Sequence, residues 1–297
     1  MSYLSLSNTS LVAIAISFVV ICIIIISLRI VTQIKAKQAL KEELAQHDNF
    51  AMGISFASEI SVVIATMAFL FDEISISTAQ SNPLKVILLI VLLFSFIKMG
   101  HLIHRKWILR RFNEEAAILK QNVCAALVDS GMLIANCILV LGLYTWTHTQ
   151  CFSNLLIASV SFFVLQGMFA LDSKIRENRF AKANQGASLQ SNFGLENTSI
   201  GIRYAGKSIC LALAAYAGLS SAAFQNGKMV ENLFTLVMHC GVMWLLLYCL
   251  TYIIKIISMP NIDTALEVDH QDNIGIACIE FAVFCAIGYL LISMFSI

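Results

Sequence analysis

Eight stretches of about twenty predominantly apolar residues recur along the chain, and nothing else limits its fold as strongly. They lie near Leu11–Leu28, Ala51–Phe71, Leu84–Ile103, Val123–Tyr144, Leu155–Leu171, Thr198–Leu219, Leu233–Ile254 and Ile274–Phe295. A bilayer core about 30 Å thick is crossed by roughly 20 residues of helix, so each stretch is long enough to span it. Strands of a membrane barrel would alternate in character over about ten residues, and these stretches do not. The chain is 59% hydrophobic and 12% charged with two prolines, far from the balance of a soluble domain. The expectation is an all-α membrane protein with eight transmembrane helices.

Charge placement orients the chain. Arg29, Lys35, Lys37 and Lys41 lie between the first two stretches, and Arg105, Lys106, Arg110, Arg111 and Lys120 between the third and fourth. Lys174, Arg176, Arg179 and Lys182 follow the fifth, and Lys255 follows the seventh, whereas the opposite side has only Lys85 and Lys228. Basic connections mark the cytoplasmic side, so both termini are expected outside the cytoplasm. The first stretch lacks a basic segment before it and has Arg29 after it, which reads as an uncleaved helix rather than a signal peptide. Of nine cysteines, all but Cys151 fall in the stretches and read as small packing residues. Cys151 sits in an outward loop without a plausible disulfide partner.

Four of the helix starts are alike: "HDNFAMGISFASE" from His47, "KQNVCAALVDSG" from Lys120, "LENTSIGIRYAGK" from Leu195 and "HQDNIGIACIE" from His270. They align on Asn49, Asn122, Asn197 and Asn273, roughly 75 residues apart, preceded by Asp48, Gln121, Glu196 and Asp272. Small residues follow at four-residue spacing: Gly53 and Ala57, Ala126 and Ser130, Gly201 and Ala205, then Ala277, with Phe281 breaking the series. Such a period implies repeated units, each of two helices and a basic connection.

Each part of the motif has a physical role. Asparagine caps a helix because its side-chain oxygen accepts a bond from an otherwise unsatisfied N–H. An acid before it sits at the positive end of the helix dipole. Small residues at four-residue spacing let a neighbouring helix approach closely where lipid supplies no hydrophobic drive. Ile108, Phe112, Ala116 and Leu119 recur at helical spacing, so the second connection either prolongs the third helix or lies on the membrane surface. The first connection permits the same reading, whereas the third, with Gly186 and Gly194, reads as a loop.

With its acidic-Asn starts and paired helices, the chain resembles two tandem copies of the YjfL-like inner-membrane domain, a domain of unknown function. The resemblance implies two homologous four-helix halves, residues 1–150 and 151–297, each built from two two-helix repeats. It also implies a bacterial inner-membrane location and a cytoplasmic membrane-stress protein as a partner class, but no reaction. Parallel repeats of this kind predict a pseudo-symmetric bundle about the membrane normal.

Charges inside the even-numbered helices are the sharpest functional signal. Counting from the capping asparagines, Glu59 and Lys207 lie about 15 Å deep, Asp129 and Glu280 about 10 Å, and Arg203 about 9 Å. Asp129 matches Glu280 in position and Glu59 matches Lys207, and all five fall within an arc of roughly 100° on their helices. Each would cost about 2.5–3.5 kcal/mol if exposed at mid-bilayer, so they face protein or water. Two readings stand equal. One is a structural network with Glu59 opposite Lys207 and Arg203 near Asp129 or Glu280. The other is a pathway for an ion, a proton or a small polar solute, on which the three acids and two bases bear.

Other residues carry weaker signals. Lys98 is placed to snorkel toward the interface. His101 and His104 are spaced like a metal pair, but no nearby Cys or carboxylate completes a site. His239, Ser208, Ser130 and Tyr204 are candidates for bonds between helices. No phosphate-binding Gly loop, HExxH or GxSxG is present, so no enzymatic activity and no cofactor are expected. The expected partners are the bilayer and the stress-type protein, not nucleic acid, with oligomerisation left open. The alternative to transport is a membrane scaffold that presents basic segments to lipid or to that partner.

Overall fold

The computed structural model describes residues 8–36, 40–73, 82–147 and 152–295, and all secondary structure among them is helical. The elements are α1 (Asn8–Ala36), α2 (Leu40–Ala45), α3 (Phe50–Glu73), α4 (Pro83–Ile103), α5 (Glu114–Leu119) and α6 (Val123–Thr147). There follow α7 (Phe152–Ala183), α8 (Leu189–Asn192), α9 (Thr198–Ser220), α10 (Met229–Ser258), α11 (Thr264–Asp269) and α12 (Ile274–Phe295). The order is thus long, short, long, four times over. Both prolines bound helices: Pro83 opens α4, where its missing N–H costs nothing, and Pro260 lies just beyond α10.

Among the described residues, six segments are long and apolar enough to cross a membrane: 50–71, 84–108, 123–147, 153–183, 229–258 and 274–295. Together they fit a multi-pass membrane protein. Of the other two long helices, α1 is apolar over Phe18–Ile34 among its described side chains, and α9 carries Arg203 and Lys207. Cys151 lies outside the described residues.

The short helices correct the reading of the connections. Residues 104–108 form one π turn after α4, the chain then breaks, and α5 starts afresh at Glu114, so α4 does not continue through the connection. The third connection is structured as well, as α8 and a 3-10 turn over Phe193–Leu195. Phe193 is fully buried, and this anchor holds the turn despite its polar neighbours.

Capping is the same at all four starts. The Asn49, Asn122, Asn197 and Asn273 side-chain oxygens accept the N–H groups of Met52, Ala125, Ile200 and Ile276 at 3.0, 2.9, 2.9 and 3.2 Å. The amide of Asn122 also donates to the Phe193 carbonyl at 2.9 Å, and that of Asn197 to the Val268 carbonyl at 3.1 Å, tying each cap to the following connection. The preceding residues Asp48, Gln121, Glu196 and Asp272 share a left-handed backbone, with φ of 50, 66, 61 and 48°. Conformation, rather than charge, is therefore what these four positions have in common, and Gln121 fits among acids for that reason. Asn122→Ala removes both a cap and a cross-link and is expected to cost about 1–2 kcal/mol. Asn273, whose amide stays within its own connection on Glu267, should cost less, and thermal unfolding in detergent compares the two.

The capped helices pack as a row, α3 on α6, α6 on α9 and α9 on α12, rather than as a bundle about a central axis. α1 and α4 flank α3 and α6, α7 packs on α6 and α10, and α10 packs on α9 and α12. The small residues act inside this row. Gly201 of α9 lies against the Cys124 backbone, Ala205 against Gly131, Ala126 is fully buried, and Ser130 reaches the Ile54 carbonyl of α3 at 3.4 Å. Gly53 and Ala57 behave differently. Around Gly53 only Leu44 of α2 comes near among the described residues, and Ala57 is exposed. α3 ends the row, so its stripe has no further capped helix to meet.

Candidate functional site: two charged cavities at the capped end

The capped end of the row holds two charge centres. In the first, Asp129 of α6 is 1% exposed and accepts two bonds from Arg105, Nε to Oδ1 at 2.6 Å and Nη2 to Oδ2 at 2.7 Å. The His101 Nε2 lies 2.6 Å from the same Oδ1. Two parallel bonds from one guanidinium fix both carboxylate oxygens, an arrangement that lysine cannot reproduce. The π turn sets this up by carrying Arg105 over Asp129 while His101 stays on α4. Lys98, also on α4, donates to Glu59 at 2.7 Å.

The second centre lies around Glu280 of α12, which is fully buried and held by Arg203 of α9 and Lys255 of α10. Arg203 also donates to Asp269 at 2.7 Å and to the Thr264 carbonyl, and Lys255 donates to the Thr264 hydroxyl at 3.1 Å. Beside it, Arg176 Nε is 2.7 Å from Asp172, which also accepts from the Tyr248 hydroxyl. The Arg176 guanidinium stacks 4.2 Å above the Tyr204 ring.

These pairings revise the expected network. Arg203 does join Glu280. Glu59 does not meet Lys207 but Lys98, because α3 lies in the row beside α6 and is separated from α9 by it. Lys207 Nζ sits 5.6 Å above the Phe284 ring and forms no ion pair among the described residues. His101 serves Asp129, whereas His104 Nε2 lies 3.0 Å from the Tyr204 hydroxyl, so the two histidines do not share a centre. Ser208 lies within 3.4 Å of Arg176, and His239 bonds Ser221 at the other end of the fold. Asp172 and Arg176 escaped the sequence reading because they follow the fifth apolar stretch and looked like loop residues. Their four-residue spacing was the available signal, and the continuation of α7 to Ala183 buries them.

Each centre opens into a cavity. The first, about 270 Å³, is lined by Glu59, Lys98, His101, Arg105 and Glu115. The second, about 300 Å³, is lined by Arg176, Arg179, Arg203, Lys207, Tyr248 and Lys255, with Asp269 as its carboxylate. Counted from the capping asparagines, Lys207 stands where Glu59 stands in the first, and Arg203 where Ser55 stands. These exchanges make the first cavity mixed in charge and the second cationic. Toward the far end the row is closed by buried Leu139, Leu143, Trp146 and Leu219.

A buried acid also lies in the second connection. Glu114 of α5 is 2% exposed, and burial pushes its carboxyl up to about 8, with nearby Asp129 adding to the shift against Arg105. His104 Nδ1 is 3.9 Å away. Between the ordinary carboxyl value of 4.5 and about 8, the folded chain keeps a proton that the unfolded chain has lost. Stability contributed by the neutral form is therefore lost as pH rises through that window. The unfolding temperature should fall over this range, and Glu114→Gln should flatten the decline.

A family model described as Domain of Unknown Function (DUF350) matches residues 5–143 and, overlapping them, residues 79–219. The first match covers α1 to most of α6, and the second begins just before α4 and runs to α9. Their starts lie roughly 75 residues apart, like the capping asparagines. No curated protein and no solved structure matches the chain.

Proposed function

The chain belongs to the Domain of Unknown Function (DUF350) family, and on that premise we propose that it is a gated membrane carrier for small charged solutes. The supporting observation is that two cavities of similar size reach charges deep in the row from the capped end, while apolar side chains close the other end. Intramembrane ionisable residues on a cavity are the usual mark of a solute or proton route. A site open on one side only suits a carrier rather than an open pore. This is a binding and transport role, not an enzymatic one.

In this reading all eight long helices span the membrane. The charges of α9 face the interior, and α1 completes the set. Two four-helix halves, 1–150 and 151–297, descend from four two-helix units, and in each half a cavity lies beside a buried carboxylate, Asp129 in the first and Glu280 in the second. The basic connections share the capped end, which puts that end in the cytoplasm of a bacterial inner membrane and both termini outside.

Flux in proteoliposomes tests the proposal, using protons, monovalent cations, inorganic anions and small phosphate esters in turn. Saturable, protein-dependent flux that drops in a folded Glu59→Gln, Lys207→Met double variant supports a carrier. Flux linear in concentration would point to a channel. No flux across the panel would overturn transport and favour a scaffold. One feature favours that second reading: Trp107, 79% exposed on the π turn, stands with Lys106, Arg110 and Arg111 as a surface for lipid or a cytoplasmic stress-type partner. Its test is loss of partner recruitment when Arg110 and Arg111 are neutralised.

A further inference from the structure

We propose that the cavity of the second half is an oxyanion site that takes a phosphate group bearing an organic substituent; this deepens the carrier reading by naming the class of solute. Five cations line the cavity and a single carboxylate, Asp269, faces them. Asp172 and Glu280, which lie behind the lining, pair with Arg176, Arg203 and Lys255. Lys207 and Arg179 have no ion-pair partner among the described residues. Lys207 lies over the Phe284 ring and Arg179 over the Tyr248 ring, at 5.6 and 5.8 Å.

Leaving an ammonium this deep without a carboxylate is costly unless something else supplies the negative charge. The neighbouring pairs hold the arginines in place, and Arg176, 7% exposed, is locked between Asp172 and the Tyr204 ring. Arg203 and Arg176 spend their donors on protein groups, so the Lys207 ammonium and the Arg179 guanidinium on the same cavity wall are what match the oxygens of a phosphate. At about 300 Å³ the cavity is at the lower limit of small-ligand sites and has room for a substituent beyond the phosphate. Tyr248 and Ile200 on the lining offer contacts for that substituent. The first cavity, with Glu59 in place of Lys207, would repel the same group.

A soluble phosphate ester and a phospholipid headgroup share this chemistry, so the experiment has two arms. Neither arm needs a gradient, which separates the result from any failure of transport. In the first, glycerol 3-phosphate is titrated into detergent-solubilised protein by calorimetry, with inorganic phosphate and glycerol as comparisons. In the second, the protein is extracted from vesicles of phosphatidylglycerol mixed with phosphatidylcholine, and retained lipid is counted by mass spectrometry. Lys207→Met, which keeps the stem, and the surface variant Arg179→Gln should each weaken binding roughly tenfold, as expected for a lost charged bond. Lys174→Gln, on the exposed side of α7, should leave it unchanged. Saturable ester binding weakened by both variants assigns a soluble ligand. Phosphatidylglycerol retention that falls in both variants, without ester binding, assigns a lipid headgroup. Absence of both, or binding that the variants leave intact, overturns the proposal.

Discussion

Asp129→Asn is expected to be among the most damaging single changes in the protein, costing about 3–5 kcal/mol, as when one partner leaves a buried ion pair. The asparagine keeps the shape, but Arg105 loses both oxygens of its buried carboxylate, keeping only Glu115 at 4.0 Å, and His101 loses its partner. The penalty lies in the guanidinium left without its buried carboxylate rather than in the intrinsic worth of the pair. A double variant, Asp129→Asn with Arg105→Met, should therefore recover much of the loss, since neutral, well-packed replacements of a buried pair are often tolerated. Thermal unfolding in detergent provides the comparison. A double variant as unstable as the single one would show that the carboxylate acts through something other than Arg105. Glu59→Gln should be much milder, because its partner Lys98 is 42% exposed along its side chain and can turn outward.

Gly131→Ala is expected to be the second large loss, by an unrelated route. A Cβ at Gly131 would sit 2.5 Å from the Ala205 Cα and 2.6 Å from its Cβ, inside the contact between α6 and α9. Backbone cannot rotate away as a side chain can, so the two central helices must separate along their length. Overpacking of this kind costs about 1–3 kcal/mol in ordinary cores, and a rigid helix pair leaves little room to absorb it. Gly167→Ala is the matched control. Nothing lies within 4 Å of a Cβ there, so the gain in helix propensity of about 1 kcal/mol should leave α7 unharmed or slightly firmer. Equal losses at the two positions would mean that helix flexibility, not the α6–α9 contact, is what these glycines serve.

Features set by short-range chemistry were legible in the sequence. Apolar stretches of membrane length appear as long helices because such a stretch in lipid satisfies its backbone only by coiling. The four asparagines cap helices because a cap needs nothing beyond a side chain and the next three residues. Asp129 and Glu280, equally far along their helices from the capping asparagines, are both buried, since distance along a helix is a count of residues. What the sequence left open was which helix stands beside which. That alone decided that α3, α6, α9 and α12 form a row, that Glu59 meets Lys98 instead of Lys207, and that Gly53 and Ala57 lack a capped neighbour. It also brought Asp172, Arg176, Arg203 and Lys255 from three helices around one cavity with Lys207 left over. Pairing of buried charges depends on distances of a few ångströms between helices far apart in the chain, and only the tertiary structure sets those.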